Sequence, residues 1–174
     1  MKNSIKTGII LIICLAISSC SLNFQKQQLE GFDLENDFEK NSSLFLKDTF
    51  NVAGYSTEGG EIIVYQSNKK NYKVLDVWLY DEIGKRNTRY YTDVDFNFKL
   101  VVQNIYLYDK PAYLSGYKTK ILKHYFIYKD TLFSMYTNNN EEIRNEEIKL
   151  KKRKNIEIIF KNATENQQFK KLIN

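Results

Sequence analysis

The stretch Tyr72–Tyr80, YKVLDVWLY, alternates residue by residue. Leu75, Val77 and Leu79 fall on one side, and Asp76, Trp78 and Tyr80 on the other. This is the period of two of a β-strand whose faces meet different surroundings. Similar stretches rich in Val, Ile, Tyr and Phe, the residues strands favour, lie on both sides: Glu61–Gln66, Arg86–Thr92, Phe96–Tyr108, Tyr117–Lys129 and Thr131–Thr137. In the fourth of these six, Phe96, Phe98, Leu100 and Val102 read as one face. The connections at 67–71, 81–85, 109–112 and 129–130 are turn-like and too short for the crossover that parallel pairing needs. The reading is an α+β fold. It has a single antiparallel meander of about five to seven strands over residues 61–137, packed by a helix from the N-terminal side, the C-terminal side or both. Leu75, Val77, Leu79, Leu100, Ile121 and Ile127 are the expected core.

Outside the sheet the period changes. The spacings Leu29–Phe32 and Leu34–Phe38 suggest a short amphipathic helix within 29–50, interrupted by Gly31 and Asn41-Ser42-Ser43. Residues 141–172 read as a charged, helical region, and within it Glu141–Lys154 places acids first (Glu141, Glu142, Glu146, Glu147) and bases last (Lys149, Lys151, Lys152, Arg153, Lys154), an order that suits a helix dipole. Ile156, Ile159, Phe160 and Ala163 keep helical spacing, although Ile156–Phe160 also fits a strand. Residues 29–174 read as one domain. Charged residues make up 27% and hydrophobic ones 43%, a globular balance.

The N-terminus has its own pattern. Lys2 and Lys6 precede the uncharged apolar run Gly8–Ile17, about half the ~20 residues a membrane span needs. Small residues follow at Ser18 and Ser19, and the chain then turns polar. This describes a secretory signal peptide over residues 1–19. Ile17-Ser18-Ser19-Cys20 resembles the lipobox of bacterial lipoproteins: an aliphatic residue, two small residues, then cysteine. Ile stands where that family more often has Leu. The resemblance implies cleavage between Ser19 and Cys20, a diacylglyceryl group on the Cys20 sulfur, and a tether over residues 20–28. Ser21 rather than Asp follows the cysteine, which by the enterobacterial sorting rule implies an outer-membrane, periplasm-facing anchor. Cys14 lies in the leader, so Cys20 is the one cysteine left after cleavage, and a mature chain acylated there has neither a disulfide nor a free thiol.

Composition and motifs exclude more than they assign. The net charge of +5 falls by two when Lys2 and Lys6 leave, too small an excess to imply nucleic acid. His124 is the only histidine, which rules out a two-histidine zinc site. Thr57-Glu58-Gly59-Gly60-Glu61 lacks the Lys-Ser/Thr end of a phosphate loop and reads as a tight turn. Ser115-Gly116 lacks a nucleophile elbow. The basic run Lys149–Lys154 reads as a solvated helix end, with contact to anionic headgroups as the alternative. No cofactor is implied.

The 13 tyrosines are the distinctive content. Rings on an open sheet face can bind glycan or peptide, because tyrosine combines apolar area, rigidity and a hydrogen-bonding tip. Cross-strand pairing inside the fold is the competing use. Trp78, Tyr80, Tyr90, Tyr91 and Tyr106 are the candidate binding surface. The leading expectation is therefore a lipid-anchored cell-envelope protein that binds an envelope protein or glycan and is not an enzyme. One alternative is an envelope hydrolase using Asp93, Asp95, Glu58 or His124, since paired carboxylates can act on glycosidic bonds. Another is an inhibitor or immunity-type protein of a secreted enzyme. A second resemblance rests on S-T-E-G-G-E (Ser56–Glu61), E-x-G-K (Glu82–Lys85) and Tyr90-Tyr91. These look like parts of uncharacterised secreted and lipid-anchored proteins of Gram-negative bacteria, and imply no site residues.

Overall fold

A computed structural model of the chain describes residues 32–52, 54, 56–129 and 132–173. The leader, the cleavage point Ser19–Cys20 and the tether lie outside the described residues. A helix over residues 32–41 (α1) leads through a 3-10 turn at Ser42–Leu44 into seven strands. These are β1 (Leu46–Val52), β2 (Gly60–Gln66), β3 (Lys73–Asp81), β4 (Gly84–Thr92), β5 (Phe98–Tyr108), β6 (Thr119–Lys129) and β7 (Leu132–Thr137). Two helices end the fold: α2 (Glu146–Glu165) and α3 (Gln167–Ile173). The sheet order is β1-β2-β3-β4-β5-β6-β7 and every pair is antiparallel. The expected α+β meander with helices from both ends is what the chain forms.

The alternation in Tyr72–Tyr80 separates two cores. Leu75, Val77 and Leu79 join Tyr90, Val101, Phe126 and Met135 on the first face. Ile156, Ile159 and Ala163 of α2, spaced three and four apart on one stripe, close over them together with Phe169 of α3. On the second face Val74, Tyr91, Leu100, Val102 and Ile127 meet Phe38 of α1 and Phe45. Tyr90 and Tyr91 are neighbours in β4 and so point to opposite faces, where each is fully buried.

Local chemistry fixes the ends of these elements. Asn145 caps α2, its side chain accepting from the Ile148 N–H at 3.1 Å, and Glu146 and Glu147 sit in the first turn, where the dipole favours acids. Gly59 takes φ 74° in the turn before β2. A Cβ on Gly60 would lie 2.2 Å from the Trp78 carbonyl oxygen, so the pair is needed for the turn and the close approach, as the sequence suggested. At the opposite end of the sheet Asp93 accepts from the backbone N–H groups of Asp95 and Asn97, both at 2.9 Å. Phe96, held at φ 65°, drops its ring onto Phe169 with centroids 5.6 Å apart.

Several expectations need correction. Leu46–Val52, which lies before the expected sheet region 61–137, is strand β1. Ile156–Phe160 is helix, as its spacing indicated, and the strand alternative there falls. The last helix begins at Glu146 rather than near Glu141, because the segment before it turns back along β7. There Thr137 N–H donates to the Glu141 carbonyl at 3.0 Å, Ile143 N–H donates to that of Met135 at 2.8 Å, and Tyr136 bridges to Glu142. Phe98 does not share a face with Leu100, because a register shift at Tyr91/Thr92 turns it toward Tyr90 and Phe160. Ile121 is 54% exposed and lies outside the core.

Candidate functional site

α1 runs across the strands of the second face. Phe32 packs edge-on against Tyr125 of β6 (centroids 4.8 Å) and Phe38 against Tyr65 of β2 (5.0 Å). A helix is about 10–12 Å wide, whereas the longer strands of this sheet extend roughly 30 Å or more. One crossing helix therefore leaves about half of the face uncovered. The register places Glu61 of β2, Trp78 and Tyr80 of β3, Lys85 and Asn87 of β4, and Asn104 and Tyr106 of β5 on that half, with Ile121 and Lys123 of β6 beside them.

The aromatic rings there are ordered with respect to one another. Trp78 and Tyr80 lie 6.5 Å apart at 17°, and Trp78 and Tyr106 lie 6.1 Å apart at 25°. The Lys85 ammonium stands 5.1 Å from the Trp78 ring and 5.0 Å from that of Tyr106, within cation–π reach of both. Tyr80 donates its hydroxyl to Glu61 at 2.8 Å. Burial and that carboxylate push the Tyr80 phenol up to about 12, so it acts as a hydrogen-bonding tip and not as an acid.

Under the edge of α1 a polar network anchors the patch. Asp76 is 2% exposed, accepting from Asn87 at 2.7 Å and from Arg89 at 2.8 Å. Arg89 also reaches Glu39 of α1 at 2.5 Å. Burial alone would pull the guanidinium down, but the Asp76 carboxylate more than offsets it, so Arg89 is held firmly protonated. Asn87 in turn accepts a long 3.4 Å bond from Asn104. Lys123 is tied to Glu35 of α1 at 3.0 Å.

Beyond Tyr80 the patch continues into the turns at the same end of the sheet. Ile83 is 61% exposed and Tyr113 75%. Tyr117 packs on Tyr108 with ring centroids 4.5 Å apart. A depression of about 490 Å³ is lined by Glu58, Tyr80, Asp81, Lys85, Tyr108 and Tyr113. The sequence reading singled out none of the apolar residues in these turns, which lie outside the alternating stretches.

Of the five residues read as a binding surface, Trp78, Tyr80 and Tyr106 come together. Tyr90 and Tyr91 do not join them: both are 0% exposed, Tyr90 under α2 and Tyr91 under α1. The residues of the hydrolase alternative are dispersed. Asp93 and Asp95 occupy the turn between β4 and β5, where Asn97, donating at 2.9 Å, holds the Asp93 carboxyl below its ordinary range. Glu58 lies at the other end of the sheet, its N–H donating to the Tyr80 carbonyl. His124 pairs with Gln103 on the α2 side, its pKa lowered by burial and then by the charge of Lys152. Among the described residues there is no group of three or more His, Cys, Asp or Glu able to hold a metal ion. No helix among them is long and apolar enough to cross a membrane. Comparison of the chain with protein-family models, with curated proteins and with solved structures returns no match.

Proposed function

We propose that this protein is a lipid-anchored component of the bacterial cell envelope, facing the periplasm from the outer membrane, and that it works by binding rather than by catalysis. The observation that carries the binding reading is the uncovered half-face, where Trp78, Tyr80 and Tyr106 surround Lys85. Ring surfaces for C–H groups, flanked by Asn104 and Glu61 for hydroxyls, suit a glycan strand of the envelope better than a small metabolite. Trp78 is the only tryptophan in the chain, so its emission reports on this site.

The protein is expected to sediment with isolated peptidoglycan sacculi and to change its tryptophan emission saturably with soluble fragments of them. Tyr106→Ala should weaken both by about tenfold or more, as loss of an aromatic anchor does, with circular dichroism unchanged. Trp78→Ala should weaken sedimentation to the same degree. Wild-type protein that stays in the supernatant, or variants that sediment as well as wild type, would overturn the glycan reading. Retention of a protein segment on the same face would point instead to the inhibitor-type alternative.

The anchor rests on the leader and on Ile17-Ser18-Ser19-Cys20. Each buried methylene of an acyl chain contributes about 0.8 kcal/mol, so two or three chains hold a protein durably. Cys20→Ala should abolish incorporation of a fatty-acid probe and move the protein from the membrane to the soluble fraction. A variant that still takes up the label would show that another residue carries the lipid.

A further inference from the structure

On the opposite face, away from the aromatic patch, a cavity of about 180 Å³ opens between α2 and the sheet. Val52, Ile62, Val77 and Leu79 form its floor, and Ile159 and Ala163 of α2 its roof. Ile158, which also lines it, is 56% exposed and marks the route to solvent. Its polar lining includes Arg86 and Asn155.

Arg86 is the unusual member. It lies in β4 opposite Leu79 of β3 and Ile105 of β5, so its cross-strand neighbours are apolar. Its Nε is buried and has no hydrogen-bond partner, and no carboxylate among the described residues forms an ion pair with it. The nearest charges compound the imbalance. Lys152 on α2 is driven toward its neutral form first by burial and then by the charge of Arg86. His124 of β6, its Nδ1 also buried without a partner, is disfavoured as a cation by burial and by Lys152. Buried polar atoms in proteins are normally hydrogen-bonded, and an orphaned buried donor calls for a specific explanation.

We propose that this cavity binds a small carboxylate with an apolar body, the body lying between the floor and α2 and the carboxylate taken by Arg86 beside Asn155. The volume sets the size: an apolar protein cavity of roughly 150 Å³ takes up benzene, so a body of about six to seven non-hydrogen atoms fits here. The guanidinium fork matches a carboxylate in two parallel bonds. A two-chain lipid is far too large for the space.

The test is a pair of NMR titrations of the ¹⁵N-labelled domain, with hexanoate and with the neutral hexan-1-ol. Hexanoate should bind about tenfold or more tightly than the alcohol, the advantage of a charge-assisted hydrogen bond, and both should shift the Ile159 and Ala163 amides. Arg86→Gln should erase the preference while leaving the alcohol's binding and the dispersion of the spectrum intact. Equal affinities in the wild type, no saturable shift at α2, or a preference that survives Arg86→Gln would each overturn the proposal. So would inorganic phosphate binding as tightly as hexanoate, because the apolar walls would then contribute nothing.

Discussion

Asp76→Ala is expected to destabilise the protein by about 3–5 kcal/mol, the cost of breaking a buried ion pair by removing one partner. Asp76 is 2% exposed, and its two oxygens accept from Asn87 and Arg89. Without it the Arg89 guanidinium, itself largely shielded, keeps as its ion pair among the described residues Glu39, whose side chain is 60% exposed and screened by water. Asn87 loses its acceptor at the same time. Urea unfolding should show a lower midpoint with an unchanged slope, because the surface released on unfolding is the same. The double variant Asp76→Leu with Arg89→Met should cost less than Asp76→Ala, since it removes both charges together. A loss below about 1 kcal/mol for Asp76→Ala would mean that the pair is far better solvated than its burial indicates.

Tyr90→Ala carries an expected cost of similar size by another route. The ring is fully buried, 5.1 Å from Phe160 and 5.5 Å from Phe98. Removing a large aromatic side chain from such a site leaves a cavity worth about 3–5 kcal/mol. Its hydroxyl donates to the Ile156 carbonyl of α2 at 2.8 Å, one of the bonds that join helix to sheet. Tyr90→Phe isolates that bond and should cost about 1 kcal/mol, because the Ile156 carbonyl keeps its place in the helical ladder. Hydrogen exchange should show α2 loosening in Tyr90→Ala and staying protected in Tyr90→Phe. Equal losses in the two variants would place the whole effect in the hydroxyl and contradict the packing argument.

The interior strands were readable because each has a demanding face, and alternation such as that of Leu75, Val77 and Leu79 is hard to produce otherwise. β1 was not, for a physical reason: it is an edge strand in which only Val52 is buried, so Lys47, Asp48 and Asn51 carry no penalty there and erase the period. Alternation also says which residues share a face but not whether anything covers that face. Ile121 was expected in the core on its type, yet its part of the second face has no helix over it. Tyr90 and Tyr91 failed as surface residues for the converse reason, since each sits where a helix lands. The same limit applied to the candidate site. Trp78, Tyr80 and Tyr106 stood out as residue types, but their grouping depends on the pairing of three strands and on how short α1 is. Arg86 had no signature in sequence at all, because what marks it is that no carboxylate among the described residues forms an ion pair with it. Phe98 shows that one bulge is enough to move a residue between cores.

The meander has a consequence for how the chain finds its structure. Each strand pairs with its neighbour in sequence, so the sheet can zip outward from the two-residue turn between Asp81 and Gly84 without closing a long loop. Such local wiring favours rapid folding. The slow entropy lies in the helices. The Lys123–Glu35 bond that ties α1 to β6 joins residues 88 apart, and Tyr90 and Ile156 are separated by 66. The sheet is thus the early unit, and α1 on one face and α2 with α3 on the other are late arrivals that cover its apolar faces to different extents.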